Sequence, residues 1–258
     1  MRLTSAEIAA WVSAYLWPLI RIAALFSIAP VLGAHFVPVR VRLGLAVLIT
    51  LLVAPLIPPT PVVDPLSAEG ALITLQQVII GLAAGLVLRL VFAALELGGQ
   101  IVATQMGLGF AALMDPQNGV QAPLISVFYN LIATLIFLSL DGHLVLLRLL
   151  IESFHTLPIA TTGLLPSDLW QLVNWAGQMF TGAVVIALPL ISALTIVNLA
   201  FGVMTRAAPQ LNLFAVGFPI SLILGLILLL LSLPTWVPQL SRLLDSAYLT
   251  IQDLASEG

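Results

Sequence analysis

The chain has 258 residues, 61% of them hydrophobic and only 7% charged, with a mean hydropathy of +1.17; soluble domains carry about 25% charged residues, so this is a membrane-class composition. All eight basic residues are Arg, the net charge is −3 and there is no basic run, which argues against nucleic acid as a partner. With no Cys, and with His35, His143 and His155 scattered, neither a thiolate nor an i, i+4 histidine metal site is expected, and no cofactor is implied.

The first apolar segment, 8–32, is interrupted by Arg21 and preceded by Glu7, which marks it as retained rather than as a signal peptide. Further apolar segments fall at 43–57, 71–95, 124–140, 178–201 and 213–233. A helix needs about 20 residues to cross the hydrocarbon; the second segment is short and the fourth marginal. No polar linker or repeat divides the chain, so one all-α, integral-membrane-class domain of kinked helical hairpins is expected. Pro18, Pro189 and Pro219 lie inside apolar segments, where each removes a backbone hydrogen bond and bends the helix.

Arg40 and Arg42 follow the first segment and Arg206 sits between the fifth and sixth, while 58–70 carries only Asp64 and Glu69. The positive-inside rule puts both Arg loops in the cytoplasm and, with six crossings, both termini outside. Gly81 and Gly85 form a small-xxx-small pair that admits another helix backbone. Arg21, Arg89 and Glu96 lie in or beside apolar runs, where a charge costs about 2.5–3.5 kcal/mol at mid-bilayer. Arg89 and Glu96 share one helix face, as a polar seam or inter-subunit pairing site, or as a helix end reaching the interface.

The stretch 106–123, MGLGFAALMDPQNGVQAP, breaks the apolar pattern. Gly107 and Gly109 permit unusual backbone angles. Asp115-Pro116 and Asn118-Gly119 are turn dipeptides, and Pro123 opposes helix at Ala122. Phe110, Leu113 and Met114 are bulky and apolar. Irregular backbone is tolerated in a membrane protein only where protein buries it or where it lines a water-filled space, so Met106, Gly107, Gly109, Phe110, Leu113, Met114, Asp115 and Pro116 are the candidate pore plug or gate.

Asp141-Gly142-His143, followed by Arg148, Glu152 and His155, is the one cluster resembling an active site. Asp141 and His143 would suit acid–base work, but Asp-Gly is a common turn and no nucleophile motif accompanies it, so a polar turn is the reading and no catalytic residue is assigned. Pro166-Ser167-Asp168 marks a helix start with Ser167 as cap, and Trp170 and Trp175 suit a membrane interface. The tail from Pro238 spaces Leu240, Leu243, Leu244, Ala247, Ile251 and Leu254 as an amphipathic helix for a surface or a partner.

Three spaced motifs carry a resemblance. Gly99-Gln-Ile-Val-Ala-Thr-Gln105-Met-Gly-Leu-Gly-Phe110 continues to Met114-Asp115-Pro116. Asp141-Gly-His143-Leu is followed by Phe154-His155-Thr156-Leu157-Pro158. Arg206-Ala-Ala-Pro-Gln210-Leu-Asn212 runs into Val216-Gly-Phe218-Pro219. Together with the looser Pro30-Val-Leu-Gly33 and Val37-Pro38-Val-Arg40, they resemble the FliR family, the R subunit of the flagellar type III protein export gate. SctT-type virulence secretion subunits share the pattern, and the wording of the motifs favours the flagellar branch. The resemblance implies a non-catalytic subunit of a helical assembly with P and Q subunits, in the bacterial inner membrane at the flagellar basal body and held largely above the membrane plane. It implies contact with the export-switch subunit, with membrane lipid and with exported unfolded flagellar proteins, and a plug role for 106–123. It also implies a P-like part over 1–175 and a Q-like hairpin over 176–233, which leaves the tail at 234–258; on the residues themselves, Arg89, Glu96, Asp141, His143 and Arg206 are the candidate inter-subunit or polar-seam residues. A secondary transporter and an intramembrane enzyme using Asp141 and His143 are the alternative classes.

Overall fold

Apolar side chains at helical spacing give helix over most of the described residues, and among the described residues no strand is present. The computed structural model describes residues 5–34, 37–108, 124–207 and 213–256. In chain order the helices are α1 (Ser5–Ile28), α2 (Val39–Val53, continued by a 3-10 turn at Ala54–Leu56), α3 (Ala68–Gln105), α4 (Leu124–Ser139), α5 (Gly142–Thr156), α6 (Pro166–Ala207) and α7 (Leu213–Ser256). Five are long and apolar enough to cross a membrane, or six spans if the bent pair α4 and α5 counts as one.

The helices divide into two compact units, each assembled from separated stretches: Met1–Leu90, Phe137–Ala176 and Leu244–Gly258 form unit one, Val91–Ile136 and Gly177–Leu243 unit two. Unit one buries Trp17, Ile22, Leu25 and Phe26 of α1, Ile73, Ile80 and Leu88 of α3, and Leu146, Leu150 and Phe154 of α5. Gly81 and Gly85 lie where α3 crosses α1. A Cβ at Gly81 would overlap the Arg21 carbonyl, and one at Gly85 would stand 3.0 Å from the Leu25 carbonyl. The close approach expected of this pair is real, but it is made to α1 of the same chain, so this face is not left over for another subunit.

Between α1 and α2 the chain turns sharply. Leu32 N–H donates to Pro30 O at 2.8 Å around Val31, whose φ is 68°. An i to i+2 bond around a positive φ is the rare, strained form of γ-turn, and a β-branched residue there is an outlier. Arg42 secures this corner by donating from Nε to Leu32 O (3.1 Å) and from Nη2 to Ala34 O (3.3 Å) and Val37 O (3.5 Å).

Two boundaries differ from expectation. α6 begins at Pro166, a residue suited to the first helical turn because its missing N–H is unneeded there. Its cap is not Ser167. The buried Asp168 carboxylate accepts the Leu165 N–H at 2.7 Å, the reach-back half of a capping box, and the helix then runs 42 residues without a break. The tail is likewise not a separate helix. α7 continues through Pro219, Pro234 and Pro238 for 44 residues, and Leu240, Leu244, Ala247, Ile251 and Leu254 are buried. The apolar face that was expected to meet a surface or partner packs within the molecule. Burial at Leu229, Trp236 and Leu240, before, between and after Pro234 and Pro238, outweighs the hydrogen bonds those two prolines remove.

Candidate gate element and its moorings

Only Met106, Gly107 and Leu108 of the candidate gate fall within the described residues; Gly109, Phe110, Leu113, Met114, Asp115 and Pro116 lie outside them. The described residues show how the stretch is moored. α3 ends in a glycine-terminated stop: Gly107 N–H donates to Thr104 O (3.0 Å), Leu108 N–H donates to Ala103 O (3.0 Å), and Gly107 has φ 83°. This is the paired 5→2 and 6→1 pattern of a Schellman motif with Gly107 at the left-handed position. The glycine placed by sequence reasoning therefore has a definite local task, which is to end the helix where the irregular stretch begins.

The same helix end is tied sideways in unit two. Gln105 donates from Nε2 to Thr195 Oγ1 of α6 (2.9 Å), its backbone carbonyl accepts from Asn198 Nδ2 (3.5 Å), and Asn198 Oδ1 accepts from Ser221 Oγ of α7 (3.1 Å). A carbonyl that the helix leaves unpaired is thereby satisfied. Met106 is fully buried and sits on Gly225 of α7, where a Cβ would approach its Cγ to 2.6 Å and its Sδ to 2.9 Å. Met106 is therefore an anchor in the unit's interior. Gly225→Ala is expected to displace Met106 and lower the thermal stability of the assembled protein, and adding Met106→Ala should recover part of the loss by opening room for the new methyl. If the double variant is less stable than Gly225→Ala by the full cost of Met106→Ala alone, the two do not share the contact.

The other end of the stretch returns beside α3. A Cβ at Gly99 would stand 2.8 Å from Ser126 Cα and 3.2 Å from Tyr129 Cγ of α4, while one at Gly98 would stand 3.2 Å from Ala183 O of α6. Adjacent glycines let α3 approach two helices at once. Ser126 is two residues into α4 and Gly99 six residues before the end of α3, so the end of α3 and the start of α4 lie at the same end of unit two. Tyr129 stacks at 4.1 Å on Trp236 of α7, and the Ser126 hydroxyl, the Tyr129 hydroxyl and the Trp236 indole N–H are buried without protein partners.

The remaining candidates are dispersed. Arg89 is exposed and Glu96 half-buried on α3, with no hydrogen bond or ion pair between them among the described residues. Asp141 is an exposed residue in the left-handed region (φ 54°) at the α4–α5 break, a conformation Asp tolerates in turns. His143 is half-buried with Nδ1 unpartnered, and the two do not pair. Gly142 is fixed by packing, since a Cβ there would overlap the Phe137 ring. Arg206 is exposed at the end of α6. Trp170 is exposed, whereas Trp175 donates from Nε1 to Ser246 Oγ at 3.1 Å.

Sequence reasoning noticed Arg21 but missed its partners. The fully buried guanidinium donates from Nε to Gln77 Oε1 (2.8 Å), from Nη1 to Ser153 O (2.8 Å) and Oγ (3.2 Å), and from Nη2 to Leu157 O (2.9 Å). Its carbon lies 4.3 Å from the Phe154 ring centroid. None of these partners is acidic. The cation instead caps the carbonyl end of α5, where the helix dipole places about half a negative charge. The legible signals were the Gln76-Gln77 pair in an otherwise apolar stretch of α3 and Pro158 stopping α5 just beyond those carbonyls.

Residues 12–247 match the family described as Bacterial export proteins, family 1. The flagellar biosynthetic protein FliR of Pectobacterium carotovorum subsp. carotovorum is 41% identical over 249 residues, covering 96% of this chain and 94% of that protein. That of Escherichia coli (strain K12) is 38% identical over 258 residues, covering 100% and 98%. That of Aquifex aeolicus (strain VF5) is 38% identical over 214 residues, covering 83% of each.

Proposed function

The chain belongs to the bacterial export proteins of family 1 and is a flagellar type III export-gate subunit; from that premise we propose that it helps form, with the P and Q subunits in the inner membrane, the channel for unfolded flagellar proteins, and that 106–123 is its plug. The channel role is non-catalytic, with the P-like part over 1–175 and the Q-like hairpin over 176–233. The observation that carries the plug reading is the mooring. A bulky apolar stretch runs between a helix stopped by Gly107 with Met106 seated on Gly225, and a helix start held against Gly99. Met106 and Gly107 then serve as anchor and hinge, and Phe110, Leu113 and Met114 as the seal. An apolar constriction shuts a pore because a narrow dry throat cannot hydrate ions.

Deleting residues 110–115, or combining Phe110→Ser with Met114→Ser, is expected to leave the assembly intact and make cells leak ions, measured as loss of membrane potential on expression. Gly107→Ala should instead slow export without leakage, because it strains the hinge by about 1 kcal/mol without removing bulk. A tight membrane around a complete assembly carrying the deletion would place the seal elsewhere.

A further inference from the structure

We propose that the α1–α2 hairpin is the part of this chain that lies directly against lipid acyl chains, spanning the hydrocarbon between a Trp11/Tyr15 rim at one end and an Arg40 rim at the other. The first ground is length. At about 1.5 Å per residue, the 18 residues of Val39–Leu56 span about 27 Å, close to the roughly 30 Å of bilayer hydrocarbon. α3, α6 and α7, with 38, 42 and 44 residues, run to about 57, 63 and 66 Å, twice what lipid can cover.

The second ground is which surfaces are left open. Only 17% of the α2 span is buried, and Val41, Leu43, Leu48, Leu52 and Leu56 are all more than half exposed. Val41, Leu48, Leu52 and Leu56 fall along one stripe, and Leu43 and the equally exposed Leu51 lie well to its side, so the open surface covers more than half of the helix's circumference. A protein partner covers a stripe, as α1 does here, whereas lipid surrounds the rest. Between Arg42 and Asp64 there is no charged residue at all. α3 by contrast exposes Arg89 within its length.

The third ground is the rims. Trp11 is 70% and Tyr15 42% exposed, one helical turn apart on α1. Amphipathic aromatic rings of this kind settle at headgroup level. Seventeen residues separate Trp11 from Ile28, about 26 Å of helix, and beyond the corner the exposed Arg40 opens α2. Between the rims the described charges are two: Arg42, half-buried beside Arg40 and turned to the corner carbonyls of Leu32, Ala34 and Val37, and Arg21, near mid-depth. Arg21 is fully enclosed and takes all its acceptors from protein, as a cation at that depth must.

A largely apolar groove of about 270 Å³ runs between the two helices, lined by Val12, Tyr15, Leu16, Leu19, Val47 and Leu51. Thr50 in its wall turns its hydroxyl back to Ala46 O at 2.7 Å, which leaves the groove suited to an acyl chain.

The test uses the complete export-gate complex, with partner chains freed of Cys, in vesicles of phosphatidylethanolamine and phosphatidylglycerol. This chain has no Cys of its own, so single nitroxide labels can be placed at Val41, Leu48 and Leu56. The expected result is a Leu48→Cys label several-fold more accessible to oxygen than to a water-soluble nickel chelate, with that ratio falling towards both ends. A label closed to both reagents would mean that protein covers α2. One open to the nickel chelate would mean water, and either result overturns the proposal. If Leu48→Cys does not assemble, Leu52→Cys reads nearly the same depth and is judged by the same outcomes.

Discussion

Arg21→Met lowers the stability of unit one by about 2–4 kcal/mol, read as a lower temperature at which the chain aggregates in detergent extracts of the intact complex. Met roughly fills the aliphatic volume but donates nothing. Ser153 O keeps the Leu157 N–H at 3.0 Å, whereas Leu157 O and Gln77 Oε1 lose the donors that satisfy them. Each buried acceptor left alone costs about 1–3 kcal/mol, partly offset because a cation no longer has to be desolvated. Arg21→Lys should fall between, since an ammonium cannot present the planar fork that reaches α3 and α5 together. Adding Gln77→Leu to Arg21→Met removes one orphan and should restore part of the loss. An unchanged aggregation temperature for Arg21→Met would show that the hydrogen bonds do not hold the unit together.

Gly99→Leu abolishes export and reduces the assembled chain to a small fraction of its normal level. What stands 2.8 and 3.1 Å from a Cβ at this position is the Ser126 Cα and N, and backbone inside a helix cannot rotate aside as a side chain can. α3 and α4 must separate along their crossing, which also loosens Tyr129 from Trp236 and removes the footing on which 106–123 returns. Forced overpacking costs typically 1–3 kcal/mol in an adaptable core, and more where backbone is the obstacle. Gly177→Ala is the control. Nothing lies within 4 Å of a Cβ there, and Ala is the better helix former by about 0.5–1 kcal/mol, so levels should hold or rise. Normal assembly of Gly99→Leu would remove the α3–α4 crossing from the gate's support.

The helices were legible in the sequence because apolar runs and prolines mark them, and the Gly81/Gly85 approach was read correctly as a close crossing. Its partner was not, since spacing says that a backbone comes near but not which one. Boundaries failed where a punctuating residue was overruled. Pro238 read as the start of a separate tail, yet packing at Trp236 and Leu240 carries α7 through it. α5 was hidden because Arg148, Glu152 and His155 on its exposed side made it look like a polar turn. At the gate, Gly107 was found from the sequence, whereas the ties from Gln105 to Thr195 and Asn198 join positions 90 and 93 apart and leave no local trace. Arg21 was visible as an anomaly, but its solution lay in carbonyls, which every residue carries.

The clasp around Arg21 also sets an order of birth. Its acceptors at Ser153 and Leu157 come 132 and 136 residues later in the chain. At about 5–20 residues per second of synthesis, α1 emerges roughly 7–27 s before they exist, and even Gln77, 56 residues on, follows only after about 3–11 s. Through that interval the nascent hairpin carries a cation with none of these acceptors at first, and then with Gln77 alone. It must wait at the headgroups, or in the care of the insertion machinery, until translation has delivered the end of α5.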